Sequence, residues 1–310
     1  MKYSYLYGAY GTPTRYSLDA YKSKIRLIIT ALLIAVLVFG FTISQLINSN
    51  NSNTAEALQS TETSEQTNIE EIVKPENNSS EPAIIIDNNK DKKPIDMSGW
   101  LSSHKGSYGV MVYDQSGYPL VVNDSTKTFF MASIYKLYVA YIGYQNIESG
   151  LWKDDQNYWQ DWSRTKCLDE MIRTSHSPCG ETMMGEIGKT NIQEKLSVYG
   201  LENTSFDDFE TSADDVATLL VRLDKNLDLT PDSKEKLLDS MKGQVYRDAM
   251  PSALNGWTVY DKVGFREQDE YHDVGIVVSP QGKTYVVAIL TNGAGTRNIA
   301  DLVQTIKQSL

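Results

Sequence analysis

Strand-like runs bracket a long helical block in this chain, and that order narrows the fold more than any other property. Residues 108–114, YGVMVYD, and 119–122, PLVV, read as a hairpin across the turn QSGY. Residues 150–245 hold no convincing strand pair. Within them Thr211-Ser212-Ala213-Asp214-Asp215 supplies a cap and early acids, and Thr230-Pro231-Asp232 puts proline at a first helical position. Strand patterns return at 257–264, 273–279 and 284–291, and an amphipathic helix covers 297–310. Strands that arrive in consecutive sets pair antiparallel. The expected fold is α/β of the α+β kind: a five-stranded antiparallel sheet flanked by helices, plus an all-helical lobe. A cleft between the two parts is the natural place for a ligand.

The chemistry centres on Ser133 and Lys136, in FFMASIYKLYVA at 129–140. Three residues apart at the start of a helix, a hydroxyl and an amine share one face, and the amine can activate the serine as a nucleophile. Ser-x-x-Lys occurs four times, at Ser102, Ser133, Ser163 and Ser233. Only the Ser133 copy lies in an apolar stretch. The other three sit among charged residues and are expected at the solvated surface.

Residues 27–47, LIITALLIAVLVFGFTISQLI, run for 21 residues without a charge. At about 1.5 Å per residue such a helix spans a hydrocarbon core of ~30 Å, and the run exceeds the ~7–15 residues of a cleaved signal peptide. Lys2, Arg15, Lys22, Lys24 and Arg26 precede it against the single acid Asp19, and the next basic residue is Lys74. The basic flank stays inside. The expected order is a cytoplasmic tail at 1–26, a transmembrane signal anchor at 27–47, a disordered extracytoplasmic linker at 48–95 and a catalytic domain at 96–310. The linker is rich in Asn, Ser, Thr and Glu and lacks the apolar surface to offset ordering. A net charge of −11 argues against nucleic-acid binding. With three histidines in the whole chain, no metal site and no cofactor are expected. Cys167 and Cys179 would pair in an oxidising compartment; two buried thiols are the alternative.

Two further motifs follow Ser133 in order: Ser175-His176-Ser177, and Lys262-Val263-Gly264 on the strand pattern at 257–264. With Ser133-x-x-Lys136 they resemble the S-x-x-K, S-D-N and K-T-G set of class A β-lactamases and related penicillin-recognising serine enzymes. The resemblance covers roughly residues 105–310. It implies that Ser133 is acylated, Lys136 relays its proton, Ser175 passes a proton to the leaving nitrogen, and Lys262 supplies positive potential. It also implies an oxyanion hole from the backbone N–H groups of Ser133 and Phe265, with Ser177, Gly264 and Phe265 against the substrate. That substrate would be a β-lactam or a peptide ending in D-alanine.

The departures are specific. His176 stands where the family has Asp, Ser177 where it has Asn, and Val263 where it has Thr. Arg247 and Arg266 are candidates to replace lost carboxylate contacts, or are simply exposed arginines. His176 would tune the site's pH response or fill the place of the Asp. The segment 200–210, GLENTSFDDFE, is too short for the family's omega loop and lacks its E-x-x-L-N. Glu202 and Glu210 are candidates for the deacylating base, and solvated loop acids are the better reading of both. Fast hydrolytic turnover is therefore not expected. A Ser-His-Asp triad through His272 and Asp273 is not expected either, because neighbours on a strand face opposite ways.

Overall fold

The computed structural model describes residues 93–154, 157–266 and 270–310. The expected tail at 1–26, the anchor at 27–47 and almost all of the linker lie outside the described residues. Among the described residues no helix is long and apolar enough to cross a membrane.

The chain enters through α1 (Ser98–Ser103) and the hairpin β1 (Ser107–Asp114) and β2 (Pro119–Asn123). A short β3 (Thr128–Phe130) and a single 3-10 turn (Ala132–Ile134) lead into α2 (Tyr135–Glu148). The helical lobe follows as α3 (Arg164–Arg173), α4 (Ser177–Ile187) and α5 (Lys189–Val198). Then come β4 (Glu210–Ser212), α6 (Ala213–Asp224), α7 (Pro231–Lys242) and the one-turn α8 (Met250–Ala253). Strands β5 (Thr258–Arg266), β6 (Glu270–Val278) and β7 (Thr284–Asn292) and helix α9 (Thr296–Lys307) complete it.

The five long strands form one antiparallel sheet in the order β2-β1-β7-β6-β5. Its two faces follow from strand alternation. Val286, Ala288 and Leu290 of β7 join the core shared with the helical lobe, while Tyr285, Val287 and Ile289 join a second core. That second core is closed by Ile299, Leu302, Val303 and Ile306 of α9, spaced as one helical stripe. Helix α2 runs through the first core, with eleven of its fourteen residues buried. A helix apolar on every side can sit only inside a domain.

The caps read from sequence are present. Ser212 Oγ accepts from Asp215 N, and Thr230 Oγ1 accepts from Ser233 N. The small β3–β4 sheet is an addition, with three residues in each strand, too few to show alternation in sequence. Ser233 is also a correction: it is buried in the first turn of α7, because capping by Thr230 turns that helix start inward. Ser163 caps α3 through Lys166 N, and Ser102 is exposed.

Candidate active site

The nucleophile candidate Ser133 sits in the middle of the 3-10 turn, not inside α2. The preceding Ala132 has φ 45°, and Met131 N donates to Phe209 O at 2.9 Å. Ser175, in the connection between α3 and α4, has φ 60°. Side chains other than glycine occupy this left-handed region at roughly 1–3 kcal/mol each, and such strain clusters at functional sites. At Gly264 an added Cβ would meet Ile134 N and Met131 O, both at 3.2 Å. Strand β5 therefore needs glycine there to press its edge against the nucleophile's turn.

Lys136 and Lys262 are both fully buried, at 0% exposure. Lys136 Nζ donates to Ser133 Oγ at 3.0 Å, Ser175 O at 2.7 Å, Ser175 Oγ at 3.2 Å and Ser177 Oγ at 3.1 Å. Lys262 Nζ donates to Ser175 Oγ at 3.1 Å and to Val263 O at 2.7 Å. Ser133, Lys136, Ser175, Ser177 and Lys262 thus meet as one hydrogen-bonded group drawn from three stretches of the chain.

Burial lowers the Lys136 pKa to about 8, opposed by Glu181. Burial and then the charge of Lys136 lower that of Lys262 to about 7. Four acceptors surround Lys136 Nζ, yet an ammonium has three N–H groups. One N–H is therefore shared between O and Oγ of Ser175, and in the neutral amine the lone pair can accept from the Ser133 hydroxyl. The geometry suits proton abstraction from that hydroxyl.

The matching family model is described as a β-lactamase enzyme family and covers residues 95–310. The chain belongs to the β-lactamase enzyme family. No curated protein sequence matches it. Among solved structures it is similar to PBP-A, at 21% identity and TM-score 0.61, covering 68% of this chain and 92% of that one. A mutant of PBP-A described as an acyl-enzyme complex with penicillin G is 20% identical, with TM-score 0.61, covering 68% and 93%. A putative class A β-lactamase, PenP from Rhodopseudomonas palustris, is 18% identical, with TM-score 0.62, covering 67% and 96%. At these identities the likeness shows the fold.

Within this family fold the departures find local explanations. His176 is the N-cap of α4: Cys179 N donates to its Nδ1 at 3.3 Å. Its ring lies against Trp162 at 5.2 Å and Trp159 at 6.2 Å. The imidazole thus holds the helix start, as a short carboxylate would. Ser177 spends its hydroxyl on Lys136. Cys167 of α3 and Cys179 of α4 are joined by a disulfide, which clamps the two helices that carry Ser175 between them. Gly180, one residue on, packs so tightly that an added Cβ would lie 2.8 Å from Tyr135 Oη and 3.1 Å from Lys136 Cε.

Neither candidate arginine is unpaired. Arg247 Nη1 pairs with the buried Asp261, and Arg266 Nε with Glu270 at 2.9 Å. Glu202 is exposed, and Glu210 accepts from Thr128 Oγ1 at 2.8 Å. Among the described residues no acid hydrogen-bonds Ser133, Lys136, Ser175 or Lys262. Nor does any group of three or more His, Cys, Asp or Glu form a metal-binding cluster among them. His272 and Asp273 diverge: His272 Nδ1 accepts from Thr291 N, which leaves its Nε2–H to donate to Phe130 O at 2.7 Å. Asp273 Oδ2 accepts from Met250 N at 2.8 Å.

Sequence reasoning overlooked Asp261 behind Lys262 and considered Asp273 only as a triad member. Asp261 and Asp273 are fully buried, and burial raises the Asp261 pKa to about 7 and that of Asp273 well above the ordinary range. Both carboxyls lift the Lys262 pKa against the effect of burial. The available signal was an acid inside each of two apolar strand patterns.

Proposed function

We propose that this chain is a membrane-anchored, extracytoplasmic serine enzyme that forms an acyl-Ser133 intermediate with β-lactams or D-alanyl cell-wall peptides and releases it slowly. The observation that carries this reading is the contact of Lys136 Nζ with both Ser133 Oγ and Ser175 Oγ. Ser133 Oγ attacks the carbonyl carbon, and its proton passes to Lys136 Nζ. The carbonyl oxygen takes the negative charge, facing the backbone N–H groups of Ser133 and Phe265, where one donor is typically worth ~3 kcal/mol. The C–N bond then breaks. The leaving nitrogen takes a proton from Ser175 Oγ, which Lys136 restores. Lys262 holds Ser175 in place and adds positive potential.

The penicillin G acyl-enzyme of a mutant of the related PBP-A supports the choice of ligand. The disulfide supports an oxidising compartment, and the run at 27–47 supports the anchor. Intact-mass measurement with benzylpenicillin tests the reading. One acyl adduct is expected on the full chain and none on Ser133→Ala; an unlabelled wild type sinks it.

A second reading is a catalytically weak module that recognises cell-wall peptides or a surface partner. It is favoured by the lack of any acid bonded to the nucleophile's group among the described residues. A chromogenic cephalosporin separates the two. A stoichiometric burst followed by slow turnover fits the enzyme, and no burst fits the binding module.

A further inference from the structure

Helix α4 brings a carboxylate beside the nucleophile's group. Cys179, Gly180, Met183 and Ile187 form the buried face of that helix. Ser177, Glu181 and Met184, at i, i+4 and i+7, line one rim of the face. The rim runs along Lys136: Ser177 Oγ accepts from Lys136 Nζ at 3.1 Å, and a Cβ added at Gly180 would lie 3.1 Å from Lys136 Cε and Cγ. Glu181 is thus one turn from a side chain bonded to Lys136, and its charge acts on Lys136 and on the adjoining Tyr135. It is exposed, so water reaches it.

The other titratable groups around the site are committed elsewhere. His176 Nδ1 accepts from Cys179 N, and its ring packs against Trp162. Lys262 Nζ donates to Ser175 Oγ and Val263 O. Asp261 pairs with Arg247, and Asp273 accepts from Met250 N. Glu210 accepts from Thr128 Oγ1. Tyr135 keeps its proton, because burial raises its pKa.

We propose that Glu181 is the general base for hydrolysis of acyl-Ser133. This rests on the acyl-Ser133 reading above. The carboxylate takes a proton from a water molecule, whose oxygen bonds to the acyl carbon while the carbonyl oxygen takes the negative charge. The carbonyl then re-forms and the C–Oγ bond breaks. Ser133 Oγ takes a proton from Lys136 Nζ as Glu181 returns its own to that nitrogen through water. The acid leaves and the free serine is restored. Release is slow because Glu181 stands outside the hydrogen-bonded group and holds the water loosely.

The test acylates the full chain in detergent with benzylpenicillin, removes excess reagent and follows loss of the adduct by intact mass. Decay is read on adduct already formed, so effects on acylation do not enter. Glu181→Gln is expected to slow decay about a hundredfold, and Glu181→Asp to keep part of the rate. Glu202→Gln and Glu210→Gln should leave it unmoved. Formate should speed decay of the Glu181→Gln adduct and not of the wild type, a rescue that a merely structural role does not give. Decay of Glu181→Gln at the wild-type rate, slowing that formate does not relieve, equal slowing in Glu202→Gln or Glu210→Gln, or a wild-type adduct that never decays overturns the base. Should benzylpenicillin leave the wild type unlabelled, the β-lactam reading fails, and para-nitrophenyl acetate supplies acetyl-Ser133 for the same comparison. A wild type that neither reagent acylates at Ser133 overturns the proposal.

Discussion

Ser175 Oγ lies between two fully buried lysine amines, 3.2 Å from Lys136 Nζ and 3.1 Å from Lys262 Nζ. Two ammonium groups on one hydroxyl repel each other, and burial penalises both, so the pair loses a proton near neutrality. The two steps belong to the pair, not to either lysine. The reactive arrangement of the singly protonated pair has the proton on Lys262, which leaves Lys136 neutral to take the Ser133 proton; burial holds Lys262 the lower of the two, so this is the less populated arrangement of the pair.

The acid limb of acylation therefore reports the lysine pair, and Glu181 offers a way to move it through Lys136. Glu181 raises the Lys136 pKa by its charge. Glu181→Gln removes that support for the ammonium, so the free amine appears at lower pH. The acid limb of the benzylpenicillin acylation rate is expected to shift toward lower pH, with the plateau rate little changed. A shift toward higher pH, or none, contradicts Lys136 as the base.

The Cys167–Cys179 bond spans a sequence separation of 12. In the chain-entropy model a loop of that size is worth about 3 kcal/mol. Cys167→Ser with Cys179→Ser is expected to lose stability of this order in urea denaturation. Acylation should fall as well, because the clamp fixes the segment that holds Ser175 at φ 60°. Stability lost with acylation unchanged would leave the bond a staple with no hold on the site.

The sheet was readable because β1, β6 and β7 are long and bury both faces as near-continuous apolar runs, and the helix starts because Ser212 and Thr230 announce themselves as caps. The order of the three motifs named the lobes that must meet. The placement of Ser133 was less legible. A 3-10 turn and a helix share a side-chain pattern over three residues, and the φ of 45° at Ala132 lies next to a Met131–Phe209 hydrogen bond that joins residues 78 apart in sequence. His176 as a cap was hidden too. Imidazole is an uncommon N-cap, and it serves here because Trp159 and Trp162 hold the ring in place.

That cap leads to a test of why histidine is tolerated where the family has Asp. His176→Ala leaves Cys179 N without its acceptor and should cost about 1 kcal/mol, the usual price of a lost N-cap. His176→Asp restores an acceptor and should recover the loss in chemical denaturation. An Asp variant as unstable as the Ala variant would show that ring packing against the tryptophans, not capping, is the role of His176.

His272 sets the behaviour in acid. It is fully buried, and burial lowers its pKa from 6.5 to about 4. Between those values the unfolded chain binds a proton that the folded chain refuses, so stability falls as pH drops from 6.5 to 4. The loss at this one residue is about 3 kcal/mol. Asp261 slopes the other way: burial raises its pKa from 3.8 to about 7, so it adds stability on acidification through that window. The His272 contribution is therefore read as a difference, from urea denaturation of wild type and His272→Gln at pH 7, 6, 5 and 4. Wild type should lose stability relative to the variant by the stated amount, because glutamine keeps a donor for Phe130 O and an acceptor for Thr291 N but takes up no proton. A difference that stays constant with pH would mean that His272 binds its proton equally in the folded and unfolded chains, against its burial and the hydrogen bond Thr291 N donates to Nδ1.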